Sequence, residues 1–263
     1  MMEGAIKERL IVALDVATRT EARELFRRLR GSVGMFKIGS QLFTSAGPTL
    51  VRELVEEGAR LFLDLKFHDI PNTVAAASVE AARLGVSMFN VHALGGREMM
   101  RRTREAVCEV SERERIRRPV ILGVTALTSA DQAALNEVSI ECGPEALVAR
   151  LARLSAESGL DGVVASPREV AIVRESVSAE GFLVVTPGVR PAGSATDDQK
   201  RTMTPAQAIG AGADYLVLGR AILNAPDPLK AVASVVEEMS RARGESGGPE
   251  ASRSGVPGSE RGD

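Results

Sequence analysis

Between positions 64 and 73 the chain reads DLKFHDIPNT, which sets two carboxylates and a lysine close together. Asp64 and Lys66 are two apart, so on an extended strand their side chains leave from one face. A lysine taken out of water alone tends to lose its proton, whereas one flanked by Asp64 and Asp69 keeps it. Lys37, in the segment FKIG, adds a second cation and completes an array of two lysines and two aspartates. Groups this close titrate as a unit. Charged groups so placed read as an active-site constellation. The same four residues also read as a structural ion-pair network.

Two later segments suit another task. TPGVR, at Thr186–Arg190, and LVLGR, at Leu216–Arg220, each bring a glycine and an arginine together. Gly188 and Gly219 let the backbone approach an anion closely, and Arg190 and Arg220 offer forked contacts to phosphate oxygens. The polar segment Pro187–Thr204 reads either as a lid over such a site or as a plain connection.

These residues must be placed by regular elements, and the chain alternates short apolar runs with longer amphipathic stretches. Strands are expected at Leu10–Asp15, Met35–Ile38, Arg60–Leu65, Ser87–His92, Val120–Val124, Asp161–Val164, Leu183–Val185 and Tyr215–Leu218. Helices are expected near Thr20–Leu29, Thr49–Glu57, Thr73–Leu84, Glu98–Ser111, Pro144–Glu157, Pro167–Glu175, Pro205–Gly210 and Pro228–Met239. Thr18 with Glu21 fits a capping box, and Pro144, Pro167, Pro205 and Pro228 suit first helical turns. Gly58, Gly85 and Gly159 stand where helices should stop.

The strands are apolar on both faces, as in a parallel sheet covered by helices. Eight β–α units over about 235 residues predict an α/β fold, the (β/α)8 TIM barrel. A doubly wound sheet would advertise itself by a glycine-rich turn after its first strand, where this chain has Asp15-Val16-Ala17-Thr18. Barrel active sites lie at the C-terminal ends of the strands. Here those ends carry Asp15, Lys37, Asp64 with Lys66, His92, Thr125 with Thr128, TPGVR and Gly219-Arg220. Charges that close greasy strands converge on one mouth.

The 263 residues are 44% hydrophobic, with a formal net charge of -2 and a pI near 5.9. The charge balance, no tryptophan and one tyrosine argue against a nucleic-acid binder. Two cysteines, Cys108 and Cys142, are too few for a disulfide framework and fit a reducing, cytoplasmic compartment. MMEGAIKERL does not read as a signal peptide, and no apolar run approaches the ~20 residues of a membrane span. The expected organisation is a single barrel domain over 1–239 and a disordered tail over 240–263, where glycine, serine and charge dominate.

The elements ALD, FKIG, DLKFHDIPNT, VHALGG, LTS, TPGVR and LVLGR, in that order from about Leu10 to Leu229, resemble the orotidine 5'-phosphate decarboxylases. An Asp-x-Lys-x-x-Asp pattern is shared with other barrel decarboxylases, but its continuation into Ile-Pro-Asn-Thr, together with TPGVR, is far more particular. The resemblance implies cofactor-independent decarboxylation of orotidine 5'-monophosphate to UMP, with no metal. It assigns Lys66 as proton donor, with Lys37, Asp64 and Asp69 completing a charged tetrad. Asp15 and Lys37 would hold the ribose, with Asp64 also at the substrate, and Thr128 would lie against the pyrimidine. Pro187, Arg190, Gln199, Gly219 and Arg220 would bind or cover the phosphate, Gln199 from the lid. The family's site forms at a homodimer interface, so Asp69 and Thr73 would serve the partner's substrate.

Thr125 and Thr128 remain alternatives, because alternation does not separate them. His68 is set aside as a base, since lysine and carboxylates already supply proton transfer, and His92 reads as a hydrogen-bonded wall of the pocket. The nearest rival is a metal-dependent sugar-phosphate decarboxylase or aldolase on the same barrel. A silent nucleotide-binding barrel would be expected to have lost one of its charged residues.

Overall fold

The structure is a computed structural model that describes residues 2–128, 130–191 and 203–242. Eight parallel strands close into a barrel in chain order: β1 Leu10–Ala13, β2 Met35–Gly39, β3 Leu61–Phe67, β4 Met88–His92, β5 Val120–Val124, β6 Gly162–Val164, β7 Leu183–Pro187 and β8 Tyr215–Leu218. Closure runs through Leu10↔Leu216, Ile11↔Val217 and Val12↔Leu218. The (β/α)8 TIM barrel expected from the sequence is therefore the fold, and each expected strand is present within about two residues at its ends.

Alternation along the strands makes two cores. Ile11, Ala13, Met35, Phe62, Met88, Leu122, Val124, Val164, Val185 and Val217 fill the barrel interior. Their neighbours one residue away, such as Leu10, Val12, Phe36, Ile38, Leu61 and Leu63, pack outward under the helices. Both faces are thus buried, which is why the strands read as continuous apolar runs.

The helix signals operate as chemistry requires. Thr18 and Glu21 form the capping box of Arg19–Leu29, and Pro144, Pro167, Pro205 and Pro228 open their helices. Gly58, Gly85 and Gly159 adopt positive φ just past helix ends. Three differences stand out. The helix expected from Thr49 is the second part of a longer helical segment, Ser40–Glu56, kinked at Gly47 (φ 66, ψ -173) just before Pro48. Pro167–Glu169 is a 3-10 turn ahead of Val170–Ser176. Short helices at Met2–Lys7, Gln132–Glu137 and Arg220–Leu223 were not foreseen, being too short to carry a periodic signal.

The base of the barrel is tied by two similar devices. Asp161, just before β6, accepts the Ile121 N–H of β5 at 2.8 Å and a forked pair from Arg118 at 2.7 and 2.9 Å. Asp214, just before β8, accepts the Val184 N–H of β7 at 2.7 Å and an Arg174 N–H at 2.5 Å. Each carboxylate joins two neighbouring strands to a helix-borne or loop-borne arginine. The last helix runs Pro228–Arg241, two residues beyond the expected barrel boundary, and 243–263, most of the expected tail, lie outside the described residues.

Candidate active site

At the C-terminal mouth a cavity of about 180 Å³ is lined by Lys37, Phe62, Asp64, Lys66, Val124, Ala126, Leu127, Thr128, Val164, Pro187 and Val217. Period-two alternation explains most of this lining. Met35–Lys37–Gly39 on β2, Phe62–Asp64 on β3 and Leu122–Val124 on β5 continue the interior rows upward. The lower part of each row is apolar filling, and the top residue is the one that meets the cavity.

The charges form a connected chain. Lys37 Nζ lies 3.0 Å from Asp15 Oδ1 and 3.5 Å from Asp64 Oδ2, while Lys66 Nζ lies 2.7 Å from Asp64 Oδ1. The side chains of Lys37 and Asp64 are 11% and 14% exposed, against 37% for Lys66 and 51% for Asp15. Asp64 is therefore the buried centre, and Lys66 is the more exposed of its two cations. Burial pushes the Asp64 carboxyl towards its neutral form. The charges of Lys37 and Lys66, with hydrogen bonds from Lys66 and Asn90, outweigh it and hold the group below the usual aspartate range. Asp64 thus favours its carboxylate form, and the two lysines beside it make its burial tolerable.

Asp64 and Lys66 meet as expected, but not by simple alternation. Leu63 pairs with Phe89 and Phe67 with Val91, so three residues of β3 oppose Asn90 alone. Lys66 takes up this bulge with φ 52, a left-handed conformation that is costly for a side chain with a Cβ. Its N–H is accepted by Asn90 Oδ1 at 2.8 Å, and Asn90 Nδ2 donates to Asp64 Oδ1 at 2.7 Å. Asn90 was missed in the sequence. It lies on the inward row Met88–Asn90–His92, so counting back two from His92 would have placed an amide inside the mouth.

The remaining expected residues divide. Thr128 lines the cavity, whereas Thr125 is fully buried and donates its hydroxyl to the Val164 carbonyl at 3.0 Å. Gly219 adjoins Asp15, since a Cβ there would stand 3.2 Å from Asp15 Oδ2, and Arg220 opens the short helix that follows. Arg190 donates its backbone N–H to the Met203 carbonyl at 3.0 Å, which joins the two described ends of the proposed lid. Gln199 lies outside the described residues. Asp69 and Thr73 are exposed and stand off the cavity lining, with Asp69 Oδ1 accepting the Ile70 N–H at 2.6 Å. Asp69 does not join the Lys37–Asp64–Lys66 array within this chain.

The histidines differ from expectation in one respect. His92 accepts the Leu94 N–H at 3.4 Å, but it stacks on His68, with ring centroids 5.2 Å apart, and lies outside the cavity lining. His92 is the last residue of β4 and caps the 3-10 turn Ala93–Gly95. Burial, then the neighbouring His68 and Lys66, lower the His92 pKa and favour the neutral ring. Among the described residues, no group of three or more His, Cys, Asp or Glu side chains is arranged to hold a metal ion.

A closed parallel barrel with a partly buried array of lysines and aspartates at the strand C-termini defines a TIM-barrel protein of enzymatic type. Comparison with known sequences narrows the class. The model of the orotidine 5'-phosphate decarboxylase / HUMPS family matches residues 8–235, and the chain belongs to that family. The orotidine 5'-phosphate decarboxylase of Syntrophotalea carbinolica is 54% identical over 236 residues, covering 90% of this chain and 96% of the relative. That of Geobacter sulfurreducens is 52% identical over 239 residues, covering 91% and 99%. The crystal structure of orotidine 5'-phosphate decarboxylase from Lactobacillus acidophilus superposes with a TM-score of 0.77 at 35% identity, covering 88% of this chain and 98% of that one. Among the described residues, no helix is long and apolar enough to cross a membrane.

Proposed function

We propose that this chain converts orotidine 5'-monophosphate to UMP and CO2 in pyrimidine biosynthesis, without a cofactor. The observation that carries the reading is the Lys66 ammonium held 2.7 Å from buried Asp64 at the cavity, in a chain of this family. When the C6–carboxylate bond breaks, its electron pair stays on C6 and the carboxylate leaves as CO2. Lys66 stabilises that pair electrostatically and gives its proton to C6, forming the C–H bond of UMP. Asp64 holds the Lys66 ammonium in place at 2.7 Å and stands near the departing carboxylate. Asp15 and Lys37 take the ribose hydroxyls, and Thr128 lies against the pyrimidine.

Pro187, Arg190, Gln199, Gly219 and Arg220 take the phosphate. Binding energy gathered there, far from C6, orders the charged array and so enters the rate as well as the affinity. The active unit is a cytoplasmic homodimer in which Asp69 and Thr73 complete the partner's array. Two features support this. Asp69 is exposed and detached from its own array, and beside it Ile70 is 66% exposed. Leu94 and Leu127, on the following two loops of the same mouth, are also exposed, as suits a face covered by a second subunit.

The test is loss of orotidine 5'-monophosphate absorbance in excess EDTA, for wild type and Lys66→Ala. Wild type converts the substrate, and the variant loses about a thousandfold or more in turnover while still binding a substrate analogue. Near-normal turnover by Lys66→Ala removes that residue from the chemistry. No conversion by folded, dimeric wild type rejects the reading and directs the assay to sugar phosphates with magnesium.

A further inference from the structure

The structure assigns Asn90 as a positioning residue: its carboxamide replaces the strand pairing lost at the β3 bulge and sets Lys66 against Asp64. The kinetic part of this inference rests on the decarboxylase reading, and its structural part does not.

Between the pairs Leu63↔Phe89 and Phe67↔Val91, Asp64, Leu65 and Lys66 face one residue of β4. The ladder there has no backbone acceptor in register for the Lys66 N–H. Asn90 Oδ1 supplies one at 2.8 Å, and Nδ2 of the same group donates to Asp64 Oδ1 at 2.7 Å. That oxygen also receives the Lys66 ammonium at 2.7 Å. The amide orientation is forced, since an N–H must meet the oxygen and a carboxylate must meet the nitrogen. Asn90 is fully buried, so neither bond is shared with bulk water.

The left-handed conformation of Lys66 persists only where the surroundings over-determine it. Asn90 is what over-determines it, gripping the residue's backbone and the partner of its side chain together. Asn90 lies outside the cavity lining, so it acts through Lys66 and Asp64. The charged and titratable groups around it are Asp64 and Lys66 on β3, Lys37 beyond Asp64 on β2, and His92 further along β4, stacked on His68.

Two variants separate this role from packing. Asn90→Ala removes acceptor and donor. Asn90→Asp keeps the shape and the acceptor but sets a second carboxylate against Asp64, so the two share a proton at low pH and repel at high pH. In Asn90→Ala, kcat falls about 100-fold with KM changed far less, and Lys66 amide hydrogen exchange, followed by NMR, quickens at least about 10-fold. In Asn90→Asp, activity relative to wild type declines as pH rises, because the shared proton restores the missing donor only at acid pH.

A folded Asn90→Ala with wild-type kcat and unchanged Lys66 exchange overturns the inference. If Asn90→Ala does not fold, Asn90→Asp decides: a pH profile parallel to wild type overturns it equally. If the wild type fails to decarboxylate the nucleotide, the function reading falls, and Lys66 exchange alone judges Asn90.

Discussion

Gly39 and Lys37 share the inward face of β2, and a Cβ on Gly39 would stand 3.0 Å from the Lys37 ammonium and 3.6 Å from Asp15 Oδ1. Gly39 has an ordinary extended backbone (φ -93, ψ 178), so it is the missing side chain, and not glycine's conformational freedom, that the site uses. Lys37 is pinned between Asp15 and Asp64 and yields only by lengthening those contacts.

Gly39→Ala therefore disturbs the array while leaving the fold intact. Weakening one charge-assisted contact predicts a loss of about 10-fold in kcat/KM. Thermal denaturation should give a Tm close to wild type. A large fall in Tm would show that the added methyl disrupts the barrel instead.

Asp69 stands apart from the array of its own chain, so complementation between subunits is expected. Lys66→Ala and Asp69→Ala homodimers should each be nearly inactive. After mixing and subunit exchange, one site per heterodimer has both residues intact, and about a quarter of wild-type activity should return at equal amounts. Absence of recovery, with exchange verified by mass, would mean that each site draws both residues from the same subunit.

The depressed pKa of Asp64 makes a pH-linked contribution to stability. A carboxyl whose folded pKa lies below its unfolded value of about 3.9 stabilises the fold above that value, and the contribution fades as pH falls through the folded pKa. Asp64→Asn lacks this titration, takes from Lys66 its carboxylate partner and leaves Lys37 with Asp15 alone. Urea unfolding should thus find the wild type ahead by the widest margin near neutrality, with the gap narrowing below about pH 4. A margin independent of pH would mean that Asp64 does not titrate differently in the folded protein.

The base of the barrel should affect stability without affecting chemistry. Asp161→Ala removes a forked arginine contact and the acceptor for the Ile121 N–H. The side chain is 22% exposed, and a cost of about 2–3 kcal/mol follows for hydrogen bonds to a mostly covered charge. Denaturant melts measure that loss, and kcat should stay within about twofold of wild type, as suits a change at the opposite end of the barrel from the mouth. A large kcat defect would mean that strain at the base reaches the mouth.

Much of the molecule was legible because its signals are local. Eight buried strands register as apolar runs, and Thr18, Glu21, Pro144 and Gly159 mark helix ends through bonds made within a few residues. The strand-end charges Asp15, Lys37 and Asp64 follow from alternation plus the rule that barrel sites face the C-terminal end. The short helices Met2–Lys7, Gln132–Glu137 and Arg220–Leu223 escaped notice, because one turn carries no periodicity, whereas the equally short Pro205–Gly210 was marked by its first-turn proline. Gly47 also escaped: its φ of 66 shows only in the folded chain, where the helical segment that holds Thr49 begins at Ser40.

By itself the sequence determined the barrel, the order of its strands and which charges stand at their ends, since each depends on residues near one another in the chain. Only the tertiary structure decided that Lys66 sits in a bulge, that Asn90 bridges it to Asp64, that Thr128 and not Thr125 meets the cavity, and that Asp69 stands clear of its own array. A bulge changes which residues face each other across two strands. That pairing is set by hydrogen bonds between segments some 24 residues apart, which no pattern within either segment records.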